Sequence, residues 1–328
     1  MAKILVTGAA GFIASRVCAL LLEDGHAVVG VDCVNDAYDP RLKEHRLGGL
    51  GKRPGFTFHR IDIADLAALR TVFAESAASG EPFAAVLNLA ARAGVRYSME
   101  NPFIYLTANA MGTLNVLELM REFGIRKHVL ASTSSLYAGQ PMPYLETAPV
   151  NEPISPYAAS KKAAEVMAYT YHHLYRIDST VCRYFTVYGP ASRPDMAMLR
   201  FIRWIDEGTP IEMFGDGEQS RDFTFVDDIA RGTIAAMKPL GYEIINLGAG
   251  NQPVTMNTLI RKLEERLGKK AVIDHKPAHV ADMAHTWANI EKAKRLLDWE
   301  PRTSLDEGLD ATVQWHLDNR DLVMSLKL

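Results

Sequence analysis

Several features that often reveal a protein's function are scarce in this chain of 328 residues. It has only three cysteines, Cys18, Cys33 and Cys182, and they form neither a Cys-x-x-Cys pair nor zinc-ligand spacing. The ten histidines are scattered, and no acidic cluster accompanies the adjacent His172 and His173. We therefore expect no metal centre, and we expect reduced thiols that pack as small apolar side chains.

Excess charge of one sign and long apolar runs are also missing. Lys and Arg number 36 against 39 Asp and Glu, so the formal net charge is −3 at pH 7. This balance gives no footprint for nucleic acid or for an anionic membrane, and an anionic ligand must be held by local arginines and backbone amides. No apolar run approaches the roughly 18 residues of a membrane span. The first strand is predicted from residue 3 or 4 with no leader before it, so we expect a cytoplasmic protein.

What the chain does have begins with a dinucleotide-binding pattern. Gly8 and Gly11 follow the apolar run 3–6, Ala14 takes a third small position, and Asp32 ends a second apolar run roughly 20 residues later. Gly8 permits a tight turn, and Gly11 lets the backbone approach a pyrophosphate at a helix N-terminus. Asp32 is placed to hold a ribose diol, and its carboxylate would repel a 2′-phosphate, which favours NAD over NADP. A plain structural turn would explain the glycines alone, but the flanking strands and the acid favour a cofactor site.

Strands and helices alternate along the first half of the chain. Strands are predicted at 3–6, 27–31, 56–61, 84–89 and 127–132, helices at 12–23, 66–77 and 103–123, and a long loop or short helix at 33–55. This alternation predicts an α/β fold with a doubly wound parallel sheet, a Rossmann fold. We expect an NAD-binding domain over 1–183, with returns near 222–250. A smaller C-terminal α/β domain over 184–328 would bind substrate at the carboxyl edge of the sheet.

A second pattern points to acid–base chemistry. Ser155 is a good N-cap and Pro156 suits the first helical position, so Tyr157 and Lys161 would lie one turn apart on a helix face. A neighbouring ammonium and a positive nicotinamide ring both favour the phenolate, which would let Tyr157 act as a general base near neutral pH. The alternative is a tyrosine and a lysine that merely share a surface stripe.

Hydroxyl side chains follow the strand 127–132. Because the carboxyl ends of parallel strands face one crevice, Thr133 could hydrogen-bond a sugar hydroxyl and help to relay its proton. Turn chemistry is the alternative for such a cluster. The order of the glycine turn, Asp32, the hydroxyl cluster and the Tyr157–Lys161 pair favours a single active site.

Together these motifs resemble the extended short-chain dehydrogenase/reductase superfamily, and within it the nucleotide-sugar epimerases. The resemblance covers nearly the whole chain, with Ala14 and Asn88 departing from the usual pattern, and its matching segments are 8–14, 62–63, 89–91, 109–113, 157–161 and 221–228. It implies that Thr133, Tyr157 and Lys161 are catalytic and that NAD is the cofactor. The cofactor-binding residues that it implies are Gly8, Gly11, Phe12, Ile13, Asp32, Asp62, Ile63, Leu89, Ala90, Ala91, Asn109, Tyr157 and Lys161.

Three further segments, 35–43, 93–98 and 183–197, resemble UDP-glucuronate 4-epimerases. In that family the residues matching Thr186 and Arg193 hold the sugar carboxylate, and a guanidinium does match a carboxylate in two-point geometry. The resemblance implies interconversion of UDP-glucuronate and UDP-galacturonate through a transient 4-keto sugar. The substrate-binding residues that it implies are Arg96, Thr133, Ser134, Ser135, Tyr157, Thr186, Arg193, Gln219, Arg221 and Asp282.

Three other functions stay open on the sequence. UDP-glucuronate decarboxylation is disfavoured because the hydroxyl cluster continues as Ser134-Ser135-Leu136, without the acid that related decarboxylases and dehydratases carry there. Epimerisation of a neutral UDP-hexose is disfavoured by Thr186 and Arg193. A catalytically inactive NAD-sensing regulator is disfavoured because the tyrosine–lysine pair is intact.

The resemblance also implies a homodimer. The superfamily commonly dimerises through two long helices, which here would be 103–123 and 157–174. Apolar residues that could furnish the interface, or equally the intramolecular core, are Tyr105, Leu106, Leu114, Leu117 and Met167.

Overall fold

A seven-stranded parallel sheet forms the centre of the molecule, in a computed structural model that describes residues 1–251, 253–277 and 283–327. The strands are β1 Lys3–Thr7, β2 Ala27–Val31, β3 Phe56–His59, β4 Ala85–Asn88, β5 Lys127–Thr133, β6 Asp178–Tyr184, β7 Thr186–Tyr188, β8 Ile211–Phe214, β9 Ser220–Arg221, β10 Phe223–Phe225, β11 Tyr242–Leu247, β12 Val254–Thr255 and β13 Ile273–Lys276. The central sheet has the order β11-β6-β5-β4-β1-β2-β3. Strand β11 thus returns to the sheet beside β6.

Helices cover both faces of this sheet. They are α1 Phe12–Glu23, α2 Pro40–Leu50, α3 Leu66–Ala78, α4 Val95–Glu100, α5 Pro102–Tyr105, α6 Gly112–Glu122, α7 Pro156–Tyr175, α8 Ala197–Glu207, α9 Val226–Ala235, α10 Met256–Leu267, α11 Glu291–Leu297, α12 Leu305–Asp318 and α13 Arg320–Ser325. Helices α1 and α9 pack with apolar residues of one face of the sheet, and α3, α6 and α7 pack with those of the other face. Strands covered on both faces must be apolar throughout, and Leu5, Val6, Val86 and Leu87 are all fully buried.

The strand order creates a crevice between β1 and β4. The chain runs outward in one direction from β1 to β3 and in the other from β4 to β11, so the connections leave the sheet on opposite sides at this point. Ligands of doubly wound sheets bind beyond the carboxyl ends of the strands at such a switch point. The glycine turn after β1 and the segment 89–91 after β4 border the crevice, and the predicted doubly wound α/β fold is confirmed.

Most helices begin where the sequence predicts. Helix α1 spans the predicted 12–23, and α7 starts at Pro156 because the Ser155 hydroxyl accepts a hydrogen bond from the Ala158 amide at 3.2 Å. The segment 33–55 contains an 11-residue helix, α2, whose N-terminus is capped by the Asp39 carboxylate accepting from the Arg41 amide. The predicted helix 103–123 is divided by a π-helical stretch, Leu106–Met111, between α5 and α6.

A second apolar cluster lies beyond the carboxyl edge of the sheet. Helices α8, α10 and α12 pack on one another there, and the short pairs β7–β10, β8–β13 and β9–β12 surround them. The carboxylate of Asp222 joins this region to the sheet, accepting hydrogen bonds from the amides of Ala249, Gly250 and Ala288. In the described part of the chain, no helix is long and apolar enough to span a bilayer.

The intramolecular alternative is correct for two of the candidate interface residues. Tyr105 and Leu117 are fully buried inside the subunit, so they cannot furnish a surface. Leu106 is 48% exposed, whereas Leu114 and Met167 are partly buried against the core. The sequence could not separate interface residues from core residues, because it shows the apolar stripe of a helix but not which part of that stripe the sheet covers.

Candidate active site

The glycine turn is a pre-shaped cradle between β1 and α1. Gly8 adopts a left-handed φ of 75°, and a Cβ there would meet the backbone of Ala90 at 2.8 Å. The Gly11 amide donates to the Gly8 carbonyl at 2.7 Å, and Gly11 caps α1 with no side chain over the helix terminus. A bare helix N-terminus with close backbone approach fits a pyrophosphate. The residues present thus fit NAD.

Asp32 stands at the end of β2 and braces this turn. Its Oδ2 accepts from the Ala10 amide at 3.1 Å and its Oδ1 from the Val34 amide at 2.7 Å. The side chain is 9% exposed. A carboxyl group is therefore fixed beside the glycine turn, where it can face the ribose of a dinucleotide.

The other cofactor-binding candidates line the region around the turn, except Asn109, whose side chain binds neighbouring backbone. Asp62 is exposed, Ile63 and Phe12 are buried, and 89–91 runs along the turn. Asn109, in the π-helical stretch, has its amide engaged: it accepts from the Arg92 amide at 2.7 Å and donates to the Arg92 carbonyl and to Ser160 Oγ. The structure therefore places Asn109 as a clamp on neighbouring backbone, while Ile13 lies partly exposed in the first turn of α1.

Asn88, which departs from the usual pattern, supports the crevice from below. Its Oδ1 accepts from the Thr7 hydroxyl at 2.7 Å, and its Nδ2 donates to the Thr113 hydroxyl at 3.2 Å. Thr7 in turn accepts from the Ala90 amide at 3.0 Å. This chain of hydrogen bonds ties β1, β4 and α6 together behind the glycine turn.

The three candidate catalytic residues meet at the carboxyl end of β5. Thr133 ends that strand, its hydroxyl donates to Ser135 Oγ at 3.1 Å, and it acts on the pKa of Tyr157 in the first turn of α7. Lys161 lies one turn further along α7, is 5% exposed, and donates from Nζ to the Ala131 carbonyl at 2.9 Å. The structure thus brings together a hydroxyl, a phenol and an ammonium, as the sequence predicts.

The electrostatics of this group differ from the expectation. Burial raises the pKa of Tyr157, while the hydrogen bond from Thr133 and the charge of Arg193 oppose that rise. Burial also lowers the pKa of Lys161 to about 8, against the charge of Glu165. In the protein alone, desolvation of the phenol therefore outweighs the groups that favour the phenolate. A positive ring bound beside the phenol is needed to lower its pKa.

A buried ion pair supports α7 directly behind Lys161. Arg183 on β6 donates to both carboxylate oxygens of Glu165, at 2.9 and 2.7 Å, and both side chains are 1% exposed. The Ser132 hydroxyl donates to Glu165 at 2.6 Å, and Arg183 donates to Tyr137 Oη at 2.8 Å. Although burial opposes it, the bonds from Glu165 raise the pKa of Arg183 further above its ordinary value. This pair fixes the helix that carries both Tyr157 and Lys161.

A cavity of about 140 Å³ opens beside the catalytic group towards the second cluster. Four of its lining residues are predicted substrate-binding residues: Ser134, Ser135, Thr186 and Arg221. The sequence did not single out the other lining residues as binding residues, and these are Val95, Ile154, Ser155, Met283 and Thr286. Met283 and Thr286 lie far along the chain and carried no motif that could have revealed them.

Arg96 and Gln219 both contact Phe214, the last residue of β8. The Arg96 guanidinium lies 3.8 Å from the centre of the Phe214 ring, a cation–π contact. Gln219 donates from Nε2 to the Phe214 carbonyl at 2.8 Å. Its amide nitrogen therefore supports β8 in this structure. Asp282, the remaining substrate-binding prediction, lies outside the described residues.

Arg193 approaches the catalytic group from the loop between β7 and α8. Its guanidinium donates to both carboxylate oxygens of Asp195, with 3.0 Å between Nε and Oδ1. Its charge works against the rise in the pKa of Tyr157, so the cation lies within electrostatic range of the phenol. In the described ranges no group of three or more His, Cys, Asp or Glu side chains is arranged to hold a metal ion.

Comparisons with known proteins agree with this geometry. The model of the NAD-dependent epimerase/dehydratase family matches residues 4–248. A UDP-glucuronate 4-epimerase of Thermodesulfobacterium geofontis is 57% identical over 328 residues, which cover 100% of both chains. The structure of UDP-glucuronic acid 4-epimerase from Bacillus cereus with UDP-glucuronic acid and NAD has a TM-score of 0.88 and 37% identity, covering 96% of this chain and 99% of that one. A UDP-glucose 4-epimerase of Thermotoga maritima with UDP-glucose has a TM-score of 0.86 and 31% identity, covering 97% of this chain and 99% of that one.

Proposed function

The chain belongs to the NAD-dependent epimerase/dehydratase family, and on that premise we propose that it is an NAD-dependent 4-epimerase that interconverts UDP-glucuronate and UDP-galacturonate. One observation carries the choice of substrate. The charge of the Arg193 guanidinium works against the rise in the pKa of Tyr157, so the cation lies within electrostatic range of the phenol. Thr186, the second candidate for the carboxylate, lines one cavity with Ser134 and Ser135, the residues that follow Thr133. A base for the 4-hydroxyl and groups for the neighbouring carboxylate therefore act on one region of the site.

The cofactor end is formed by the turn 8–11 and by Asp32. The backbone amides at the start of α1 would hold the pyrophosphate, and the Asp32 carboxylate would accept from the ribose hydroxyls. Lys161, 5% exposed, is placed to hold the second ribose. The chemistry that NAD supplies when bound is the reversible removal of a hydride from carbon 4 of the sugar.

Tyr157 handles the proton of the 4-hydroxyl. Its phenolate oxygen accepts that proton as carbon 4 becomes a carbonyl, and Thr133 orients the hydroxyl through a hydrogen bond. The proton returns from Tyr157 after the 4-keto sugar has turned over about its diphosphate link. The charge of Lys161 stabilises the phenolate, and the Ala131 carbonyl holds the ammonium in position at 2.9 Å.

Thr186 and Arg193 hold the carboxylate of the sugar. A 4-keto uronic acid is a β-keto acid, and it loses CO₂ most readily when the bond to the carboxylate stands perpendicular to the ketone. Two-point binding by a guanidinium keeps the carboxylate out of that geometry. Asp195 accepts from Nε and Nη2 along one edge of the Arg193 guanidinium. The two terminal nitrogens still have N–H groups that can donate to the substrate carboxylate.

Replacing Arg193 tests this role. In Arg193→Ala we expect the KM for UDP-glucuronate to rise about tenfold to a hundredfold, the range for losing hydrogen bonds to a charged group. We also expect a larger fraction of each turnover to end as CO₂ and UDP-pentose, measured by trapping CO₂. A leak that is unchanged in both Arg193→Ala and Thr186→Val would contradict the role of these residues.

The reaction itself is tested by proton NMR of the purified protein with UDP-glucuronate. We expect UDP-galacturonate to appear without CO₂ and without added NAD, because the cofactor is regenerated in each turnover. UDP-pentose as the main product would overturn the proposal in favour of decarboxylation. Turnover of UDP-galactose, but not of UDP-glucuronate, would overturn the assignment of Thr186 and Arg193.

We further propose a homodimer formed through the helices 103–123 and 157–174. Large apolar side chains are exposed on these helices: Phe103 at 76%, Leu106 at 48%, Met111 at 50%, Val166 at 53%, Tyr169 at 53% and Leu174 at 59%. A second copy of the chain would cover this apolar surface, because isologous pairing brings the same patch from both subunits together.

Charge placed in this surface should prevent association. For Phe103→Glu combined with Val166→Glu we expect a mass near the 36.3 kDa of one chain, against twice that mass for the unchanged protein, by light scattering on a sizing column. Leu317→Glu, on α12 and 45% exposed, is the matched control and should stay dimeric. An unchanged protein that runs as a monomer would contradict the dimer.

The division of labour in the chain follows from these assignments. We propose an NAD-binding domain over 1–183, completed by returns near 222–250, and a UDP-sugar-binding domain over 184–328. The pairing of β11 with β6 supports those returns.

We also propose a cytoplasmic location, which the free thiols of Cys18, Cys33 and Cys182 support.

A further inference from the structure

Arg46 is a buried cation that none of the roles above uses. It lies on α2 and is 7% exposed. Its Nη1 donates to the Ala10 carbonyl at 3.0 Å and to the Tyr38 hydroxyl at 2.6 Å. Its Nε and Nη2 both donate to the Ala191 carbonyl, at 3.1 and 2.7 Å. The side chain therefore bridges two stretches of backbone that lie far apart in the sequence.

The two stretches belong to the two halves of the active site. Ala10 is part of the glycine turn that would hold the cofactor. Ala191 lies two residues before Arg193, in the loop that would hold the sugar carboxylate. Ala191 has a φ of 55°, a left-handed conformation that alanine rarely adopts and that its surroundings must hold. Two charge-assisted hydrogen bonds from Arg46 to its carbonyl are the structural reason that it persists.

Tyr38 gives Arg46 a second route to Arg193. The Tyr38 hydroxyl accepts from Arg46, and its ring faces the Arg193 guanidinium, 5.9 Å from the ring centre. The Lys43 ammonium lies 4.9 Å from the same ring centre. Arg46 therefore fixes both the backbone before Arg193 and the aromatic surface beside it.

We propose that Arg46 is a positioning residue that couples the cofactor turn to the carboxylate end of the sugar site. It acts through Arg193: with the turn held in place, Arg46 fixes Ala191 and Tyr38, and the guanidinium of Arg193 is presented to the sugar carboxylate. The inference deepens the proposed function and rests on its assignment of Arg193 as the carboxylate-binding residue.

The coupling predicts a loss that is selective for a charged sugar. In Arg46→Met we expect the Kd for UDP-glucuronate to rise about tenfold to a hundredfold in calorimetry, the range for losing hydrogen bonds from a charged donor. The Kd for UDP-glucose should change less than twofold, because that sugar has no carboxylate. The NAD content, measured by absorbance after acid release, should stay equal to that of the unchanged protein. Arg60→Met, which removes an exposed arginine that pairs with Glu44 beside Arg46, is the matched control and should change none of these values.

A double-mutant cycle tests whether Arg46 works through Arg193. In an Arg193→Met background, Arg46→Met should have no further effect on the affinity for UDP-glucuronate, because the group that it positions is gone. Arg46→Lys keeps the charge but not the four hydrogen bonds, and it should show most of the loss. If Arg46→Met lowers the melting temperature of the protein, the Arg46→Lys variant can still decide the test.

Three results would overturn the inference. These are an equal loss of affinity for UDP-glucuronate and UDP-glucose, losses that add fully in the double mutant, and full affinity in Arg46→Lys. The binding readout separates this outcome from failure of the proposed function. A protein that binds UDP-glucuronate through Arg193 but does not epimerise it would refute the proposed reaction and leave the coupling intact.

Discussion

Tyr157→Phe should lower kcat for epimerisation of UDP-glucuronate by about a hundred to ten thousand-fold, the range for losing a positioned general base. The hydroxyl is the only group removed, and the ring continues to pack edge-on against Tyr105, with 6.2 Å between ring centres. The loss should therefore fall on kcat, while the Kd for UDP-glucuronate stays within about threefold of the unchanged protein. Progress curves followed by NMR, together with calorimetry, measure the two quantities separately.

Two controls give this result its meaning. Tyr169→Phe removes a hydroxyl from a residue of the same helix that is 53% exposed, and it should leave kcat unchanged. NAD content should be equal in all three proteins, because Tyr157 is not needed to retain the pyrophosphate. Near-normal turnover in Tyr157→Phe would refute the assigned base and with it the proposed mechanism.

Glu165→Ala should be the most destabilising of the substitutions considered. It leaves the Arg183 guanidinium, 1% exposed, without its counter-ion, and breaking a buried pair in this way costs about 3–5 kcal/mol. Ser132 loses its acceptor as well. Chemical denaturation should show this loss as a lower midpoint with an unchanged slope.

An exposed pair gives the comparison. Glu44→Ala removes the partner of Arg60, and both side chains are more than half exposed, so we expect at most about 1 kcal/mol. If Glu165→Ala and Glu44→Ala lower the free energy of unfolding by similar amounts, the buried pair contributes little to stability.

Glu165→Gln is a milder change that can be followed through activity. The charge of Glu165 raises the pKa of Lys161, so its loss should move the alkaline limit of kcat to lower pH.

The backbone of the site could be predicted from local sequence. Helix α1 follows from its glycine turn and apolar spacing, and α7 follows from Ser155 and Pro156, because capping acts between near neighbours. These two helix starts place Gly11 and Tyr157. The arrangement of strands follows from the alternation of elements, since parallel strands require crossovers.

What local sequence could not show are contacts between distant segments. The partner of Arg183 is Glu165, and that of Arg46 is the Ala191 carbonyl, 145 residues away. The direction of the Tyr157 pKa shift could not be predicted from the sequence either, because it depends on how much water the folded cleft excludes. Glu165 did carry one usable signal: it follows Lys161 by one further helical turn, so it had to lie on the same face.

The floor of the cofactor crevice is held in one shape by backbone contacts. Gly8 lies against the backbone of Ala90, and Asp32 accepts a hydrogen bond from the Ala10 amide. Little conformational entropy then remains to be lost on binding, which favours tight association and long residence. An isomerase whose cofactor ends each cycle in its starting oxidation state benefits from this rigidity. It can work through many turnovers with one dinucleotide molecule, independently of the free pool around it.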